Sequence, residues 1–386
     1  MSVHSNQFHP SARLYGRLLM VSLLTALVCN PVSAEIAVVT PEIFFERVPD
    51  QGIQPQLITD IAGLTHLIYF RRDAKEGRNR QGNLYYRQRL GTQNWSIAIK
   101  VSQRGFNHLG PVSKASGYVD HQGRVHVVWF IPGAGYLYAR SNAERSKFEP
   151  SREVITEFTE GLDAEASIAG TDSRITITWH AGDLANEAAR AVYSLTSLDD
   201  GATFGRAVRM SDSRLGACAC CTLSTQYDED ESLQIAYRSA VNNEGRHMQF
   251  LTRDEDNAEF TTRTVGEWKI NACPVSSNHL NGDWLVFETE GKLFQINLTD
   301  AEVATRLQDS VSRQKHPVIA MNRLGHRLVA WGEADGYFAG GSLAGQLYNP
   351  DATIVPLTVP PEGADIDEFS VVAATALADS NFLVVY

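Results

Sequence analysis

Past residue 34 the 386-residue chain has no apolar run long enough to cross a membrane, no basic cluster, no low-complexity tract, no long linker and no coiled-coil repeat. Each absence excludes something. A helical span needs about 20 apolar residues, so none is expected. The formal net charge is −11, and without a basic patch the surface gives nucleic acid or an anionic membrane no electrostatic footing. The same acidity weighs mildly against capture of anionic substrates. With no linker to divide them, residues 35–386 read as a single domain.

Residues 1–34 read as a secretory signal peptide. Arg13 and Arg17 supply its positive start, Leu18 to Cys29 its apolar stretch, and Val32-Ser33-Ala34 its small-residue cleavage site. Cleavage near Ala34 would place the protein in the periplasm or outside the cell. The alternative is a lipoprotein anchored at Cys29, although Val28 is large for the position before a lipidated cysteine. Cleavage leaves 32 basic against 45 acidic residues, a net of −13.

What the chain does have is repetition. Seven short apolar runs end in an aromatic residue, at Tyr69, Trp129, Trp179, Tyr237, Phe287, Trp331 and Tyr386, with gaps of 60, 50, 58, 50, 44 and 55 residues. Four-stranded propeller blades repeat every 40–50 residues or so, and loop insertions account for the longer gaps. Turn signals such as Asp120-His121-Gln122-Gly123 and Asn322-Arg323-Leu324-Gly325 precede several runs. The last anchor is the last residue, so the final repeat is short of outer strands. Ile36-Ala37-Val38-Val39 and Ile43-Phe44-Phe45 are read as those strands. Closing a ring with both termini removes exposed sheet edges. The expected fold is therefore an all-β propeller of four-stranded blades. Seven blades are expected, one of them composite, with six as the alternative if one run belongs to an insertion.

Ser197-Leu198-Asp199-Asp200-Gly201-Ala202-Thr203-Phe204 reads S-x-D-x-G-x-T-F. Ser and Asp side chains can bond the backbone of a tight turn, Gly takes its positive φ, and the aromatic packs beneath it. This resembles the Asp-box, or BNR repeat, of the sialidase-like β-propellers, where Ser197, Asp199, Gly201 and Phe204 would be structural. Worn copies stand at Ser141 to Phe148, Arg253 to Phe260 and Gln88 to Trp95.

In a propeller the residues just before each innermost strand lie at one mouth of the central channel. Here those places carry Asn107 to Pro111, Leu162 to Glu165, Cys218 to Cys221, Ala272 to Pro274, Lys315 to Pro317, and Asp367 with Glu368. An even set of four cysteines in an exported chain points to disulfides among Cys218, Cys220, Cys221 and Cys273. Cys220 bonded to Cys221 would be a strained vicinal pair, whereas a bond from the cluster to Cys273 would tie two blades. No free thiol and no stoichiometric metal are expected. The competing reading is a soft-metal set for copper or zinc, Cys218, Cys220, Cys221 and Cys273 with His316. The segment from Cys218-Ala219-Cys220-Cys221 through Tyr237-Arg238 to Trp268-Lys269-Ile270-Asn271-Ala272-Cys273-Pro274 also resembles one in exported bacterial propellers of sialidase-like type. That resemblance implies a fold and an export route, but no activity.

The sialidase resemblance further implies an arginine triad, a Tyr–Glu pair and an acid/base Asp, with the first arginine in an Arg-Ile-Pro motif. This chain has Gln54-Pro55-Gln56-Leu57-Ile58 at that point and no such motif elsewhere. The expected function is therefore a non-catalytic exported binding protein, monomeric, that takes a small molecule, glycan, metal or partner protein across the channel mouth. The alternative is a glycan-active hydrolase with a diverged site, whose acid/base candidates are Asp163, Glu165, Asp367 and Glu368.

Overall fold

The computed structural model describes residues 40–386 apart from 74–80, 108–109, 172–173, 254–259, 337–338 and 356–362. The signal segment, the run Ile36 to Val39, His108 and Leu109, and most of the worn box from Arg253 to Phe260 lie outside the described residues.

Six antiparallel meanders and one composite sheet form seven blades. Their innermost strands are Ile53–Thr59, Ser116–Val119, Ser167–Thr171, Ser224–Tyr227, Asn278–Asn281, Gln314–Met321 and Ala373–Ala376. Each inner strand touches the next, and the last touches the first, so the ring closes. The aromatic anchors fall on or just after the second strand of each blade: Leu64–Arg72, Val125–Ile131, Arg174–Ala181, Leu233–Arg238, Trp284–Thr289, Arg327–Glu333 and Phe382–Val385. Six of them, Tyr69 to Trp331, are at most 3% exposed, because second strands are covered by neighbouring blades on both faces. Tyr386 follows its strand directly and is half-buried.

Blades differ at their outer edges. In blade 2 the fourth strand is reduced to a single bridge, Tyr138 with Arg152. Blade 7 is composite and has three strands in order: Ala373–Ala376, Phe382–Val385, then Ile43–Glu46 from the other end of the chain. The Ile43–Glu46 strand runs parallel to its neighbour, pairing Ile43 with Phe382 and Glu46 with Val385.

Separate sheets share no ladder, so inner strands need other partners for their outward-facing polar groups. Hydroxyls supply them. Ile168 N–H donates to Ser116 Oγ (3.1 Å), Thr225 N–H to Ser167 Oγ (3.1 Å), and Asn278 N–H to Thr222 Oγ1 (3.2 Å). Gln54 N–H donates to Ser370 Oγ (2.9 Å), joining blade 1 to blade 7.

The Ser197–Phe204 turn joins the third and fourth strands of blade 3 and clamps it to blade 2. Phe204 packs edge-on against Tyr138 at 5.1 Å, while Arg140 and Arg152 donate to the carbonyls of Asp200, Gly201 and Ala202. Gly201 sits at φ 72°, and a Cβ there would lie 2.0 Å from Tyr138 Oη. Tyr138 is itself fixed by His126 Nδ1 (2.7 Å), whose Nε2 meets the buried Asp120 (3.0 Å). The worn copy at Ser141–Phe148 keeps this plan one blade earlier. Arg145 takes the positive φ of the glycine position, Asn142 accepts the turn's N–H groups, and Phe148 packs edge-on against Tyr86.

Burial within the turn is uneven. Ser197 is buried and accepts from Gly201 N–H (2.9 Å), but Asp199 is exposed. Asp199 holds Thr203 through its N–H and hydroxyl, both at 2.7 Å, and these bonds lower its pKa to about 2. Asp199→Ala is therefore expected to lower the melting temperature modestly and leave ligand binding intact. A lost ligand with an unchanged melt would overturn this assignment.

Candidate functional site

The mouth at which the inner strands begin holds the greatest concentration of unusual polar groups. Glu165, from the loop entering blade 3, is 4% exposed. Its Oε1 lies 3.8 Å from Lys114 Nζ of blade 2, and its Oε2 has no hydrogen-bond partner. Burial raises its pKa to about 8, against the pull of Lys114, so the carboxyl is largely protonated at neutral pH. Across the ring, His316 of blade 6 receives or gives a hydrogen bond at Ser277 Oγ (3.0 Å), while its Nε2 is buried and unpartnered. His279 of blade 5 accepts from Ile319 N–H through Nδ1 (3.3 Å). Both histidines are driven down to about 3, first by burial, then by the Lys114 charge at His279 and by Lys315 followed by Lys114 at His316. Both are therefore neutral. The mouth thus brings together the Lys114 ammonium, the Glu165 carboxylic acid and the neutral imidazoles of His279 and His316, with the Lys315 ammonium next to His316.

Local backbone explains His316. It stands in a bulge between Lys315 and Val318, at φ 51°, just before Pro317. The same device occurs at Gln54-Pro55 in blade 1, where Gln54 has φ 55°. Gln54 is 4% exposed; the nitrogen of its amide stitches the ring, while its Oε1 is buried without a partner. Its Nε2 donates to Gly110 O (2.7 Å) and Phe369 O (2.8 Å) on the two neighbouring blades.

The other acids expected at the mouth are placed differently. Asp163 is half-buried, with its pKa raised by burial against the charge of Arg190. Asp367 and Glu368 are exposed, several residues before the inner strand Ala373–Ala376, and Asp367 lies 3.5 Å from Arg72. They do not join Glu165. Lys114 and His279 were missed by sequence reasoning. A lone lysine in Val112-Ser113-Lys114-Ala115 carries no motif; a histidine inside an inner strand was the readable signal.

The cysteines form another group, of which Cys218, Cys220 and Cys221 are buried and Cys273 is exposed. Cys220 and Cys273 are disulfide-bonded with Cα atoms 6.4 Å apart, tying the loops entering blades 4 and 5. Cys218 and Cys221 are buried thiols with Sγ atoms 2.8 Å apart, which departs from the expectation that no thiol is free. Only Cys218, Cys220 and Cys221 gather as a ligand-type cluster among the described residues. His316, proposed as a further metal ligand, is not among them and turns to Ser277 instead.

A cavity of about 860 Å³ opens at the opposite mouth among the turns of blades 1 to 3. Its acids are already engaged: Asp60 with His66 Nε2 at 3.1 Å, and Asp120 with His126. Its buried carboxyl, Asp120, is fully engaged by His126 and the N–H groups of Gln122 and Arg124, unlike the unpartnered Glu165 Oε2. Among the described residues no helix is long and apolar enough to cross a membrane.

No protein-family model matches the sequence, and no curated protein matches it either. The fold has many solved likenesses. The BP39L lectin from Burkholderia pseudomallei superposes with a TM-score of 0.55 at 12% identity, over 86% of this chain and 95% of that one. A protein of unknown function from Dyadobacter fermentans gives 0.53 at 12% identity, over 80% and 97%. The NanB sialidase from Streptococcus pneumoniae gives 0.41 at 12% identity, over 86% and 64%, a likeness too distant to bear on function. At such identities the shared property is the propeller fold.

Glu165 gives a signed pH prediction. Between about 4.5 and about 8 the folded chain keeps a proton that the unfolded chain has lost. Ionisation therefore opposes folding, and this contribution to stability falls as pH rises through that window. Glu165→Gln is expected to be more stable than the native chain at pH 8, by on the order of a few kcal/mol, with little difference at pH 4. Denaturant melts at the two pH values check this; a variant less stable at pH 8 would refute it.

Proposed function

We propose that the protein is an exported, non-catalytic binding propeller that holds a small polar ligand, a glycan first among candidates, at the channel mouth. The observation that supports this most is that Glu165 Oε2 and His316 Nε2 are each buried and unpartnered, with Glu165 beside the Lys114 ammonium and His316 within reach of its charge. A protonated carboxyl donates a hydrogen bond, a neutral imidazole either donates or accepts, and an ammonium donates three. That is a set suited to hydroxyl and ring oxygens. Leaving such groups buried without partners costs free energy, which a ligand would recover. The likeness to a lectin is one of fold and names no ligand. Export with cleavage near Ala34, and a monomeric state, belong to the same proposal.

A hydrolytic reading has one supporting observation. Glu165 holds its proton near neutrality, as a general acid must. Two features weigh against it: the sequence has no Arg-Ile-Pro motif, and of the other acids near the mouth Asp163 is half-buried near Arg190 while Glu288, like Glu165, is buried and held toward its neutral form.

The test is a screen of the purified protein against immobilised glycans and fluorogenic glycosides, with N-terminal sequencing of the exported form. Binding without turnover, weakened at least tenfold in Lys114→Met, supports the proposal. Turnover that disappears in Glu165→Gln would establish the hydrolytic reading instead.

A further inference from the structure

The four cysteines carry a chemistry independent of the channel ligand. Cys218-Ala219-Cys220-Cys221 contains a Cys-x-x-Cys pair, Cys218 with Cys221, whose sulfurs are 2.8 Å apart. Cys218 Sγ is also 3.7 Å from Cys220 Sγ, one end of the disulfide. The other end, Cys273, is exposed, while Cys218, Cys220 and Cys221 are each at most 4% exposed. A disulfide facing solvent thus backs directly onto a buried dithiol.

The surroundings favour a thiolate inside. Arg238 is 2% exposed, and its hydrogen bonds go to the carbonyls of Arg246 and Glu288 and to Thr289 Oγ1 rather than to a carboxylate. A buried cation needs a counter-charge. Burial pushes Glu288 up toward its neutral form. At Cys221, burial would raise the thiol pKa, but the hydrogen bond from Cys218, the Arg238 charge and Ser276 together lower it. Cys218 is raised correspondingly, so the pair shares one proton. Ser276 Oγ donates to Cys221 Sγ at 3.4 Å, and Glu187, paired with Arg246, holds the Ala219 N–H at 2.7 Å.

We propose that the four cysteines form a two-electron thiol–disulfide exchange centre, in which the buried Cys218/Cys221 dithiol passes electrons through Cys220 to the exposed Cys273. The shared proton moves from Cys218 to Cys221. The Cys218 thiolate attacks Cys220 Sγ; the Cys220–Cys273 bond breaks and Cys273 leaves as a thiolate at the surface. Cys221 gives its proton to solvent, and solvent returns one to Cys273. The Cys221 thiolate then attacks Cys218 Sγ, and Cys220 leaves as a thiolate. Cys218–Cys221 is now the disulfide and Cys220/Cys273 the dithiol, with one proton and one negative charge retained throughout. The substrate class is an external disulfide. Cys273 gives its proton to solvent and its thiolate attacks one sulfur of that disulfide, the first external sulfur leaving as a thiolate that solvent protonates; the Cys220 thiolate then attacks the mixed disulfide, releasing the second external sulfur as a thiolate that solvent protonates and re-forming Cys220–Cys273. Access limits such centres as much as thiolate character does, and only Cys273 provides it here.

The test uses the folded full chain carrying one disulfide. It is incubated at neutral pH, quenched with acid, alkylated under denaturing conditions and mapped without reduction. Two species are expected: one with Cys273 linked to the cluster peptide, and one with Cys273 alkylated and the disulfide inside the cluster. Their ratio should be the same whichever species is enriched at the start. Cys218→Ser should abolish the second species and keep the first, and Cys273→Ser should retain Cys218–Cys221. Recovery of the first species alone from the native chain at all times would overturn the proposal. So would stoichiometric copper or zinc held by the two thiols. Both readouts come from the native protein, so a variant that fails to fold does not rescue the idea.

Discussion

Deleting Phe382 to Tyr386 is expected to abolish the folded protein. Phe382, Leu383, Val384 and Val385 form the middle strand of blade 7 and are fully buried. They pair on one side with Ala373–Ala376 and on the other with Ile43–Glu46. Their removal leaves both flanking strands without a ladder, and blade 6 and blade 1 lose the packing between them. Phe382 and Val384 belong to the core shared with blade 6, while Leu383 and Val385 pack with Leu57, Leu67 and Tyr69 of blade 1. Losing one such large side chain typically costs about 2–5 kcal/mol, and a whole domain has only about 5–15. Four together exceed the margin. Circular dichroism and gel filtration of the truncated chain check this. A soluble product melting within a few degrees of the native chain would show that the ring does not depend on closure through both termini.

Arg238 is the second position of large effect. Its guanidinium is buried between blades 4 and 5, donating to Arg246 O at 2.5 Å and to Glu288 O, and stacked over Trp268 at 5.0 Å. Arg238→Ala strands those carbonyls, opens a cavity and leaves the Cys221 thiolate without its counter-charge. Removing one partner of a buried charge arrangement costs about 3–5 kcal/mol. Arg238→Lys recovers the charge but not the forked reach to two carbonyls, so an intermediate loss is expected. Equilibrium unfolding of both variants checks the order. An Arg238→Ala chain as stable as the native one would mean that the charge is solvated in a way its 2% exposure does not show.

The ring was legible in the sequence because the second strands are its most covered elements. Burial on both faces selects long apolar runs, and the residue that fills the space between blades is repeatedly aromatic, as at Trp129, Trp179 and Phe287. Outer strands left a weaker trace. The fourth strand of blade 3 is only Val208–Arg209 and is exposed, so neither periodicity nor apolarity marks it, and the missing fourth strand of blade 2 could not be read at all. Within the Ser197–Phe204 turn, the turn chemistry was readable, but not that Ser197 rather than Asp199 makes its buried bond, since that depends on how the turn leans on Tyr138.

The site was legible in part. Position before an inner strand picked out Glu165 and His316, but equally Asp367 and Glu368, which solvent keeps apart from them. Distance along the chain could not reveal that Lys114 of blade 2 stands beside Glu165 of blade 3, or that its charge is felt at His316 of blade 6. Nor could it pair the cysteines, because Cys218, Cys220 and Cys221 are so close in sequence that their partners depend on which way each sulfur points from one short loop.

The central claim, that the channel mouth is a ligand site, is tested most directly by a structure of the full chain with a bound glycan from the binding screen. The expected result is a ligand between blades 2, 3 and 6, with polar atoms within hydrogen-bonding reach of Lys114 Nζ, Glu165 Oε2 and His316 Nε2. A ligand seated instead at the opposite mouth, among Ile61, His121 and Arg145, with Glu165 and His316 untouched, would contradict it.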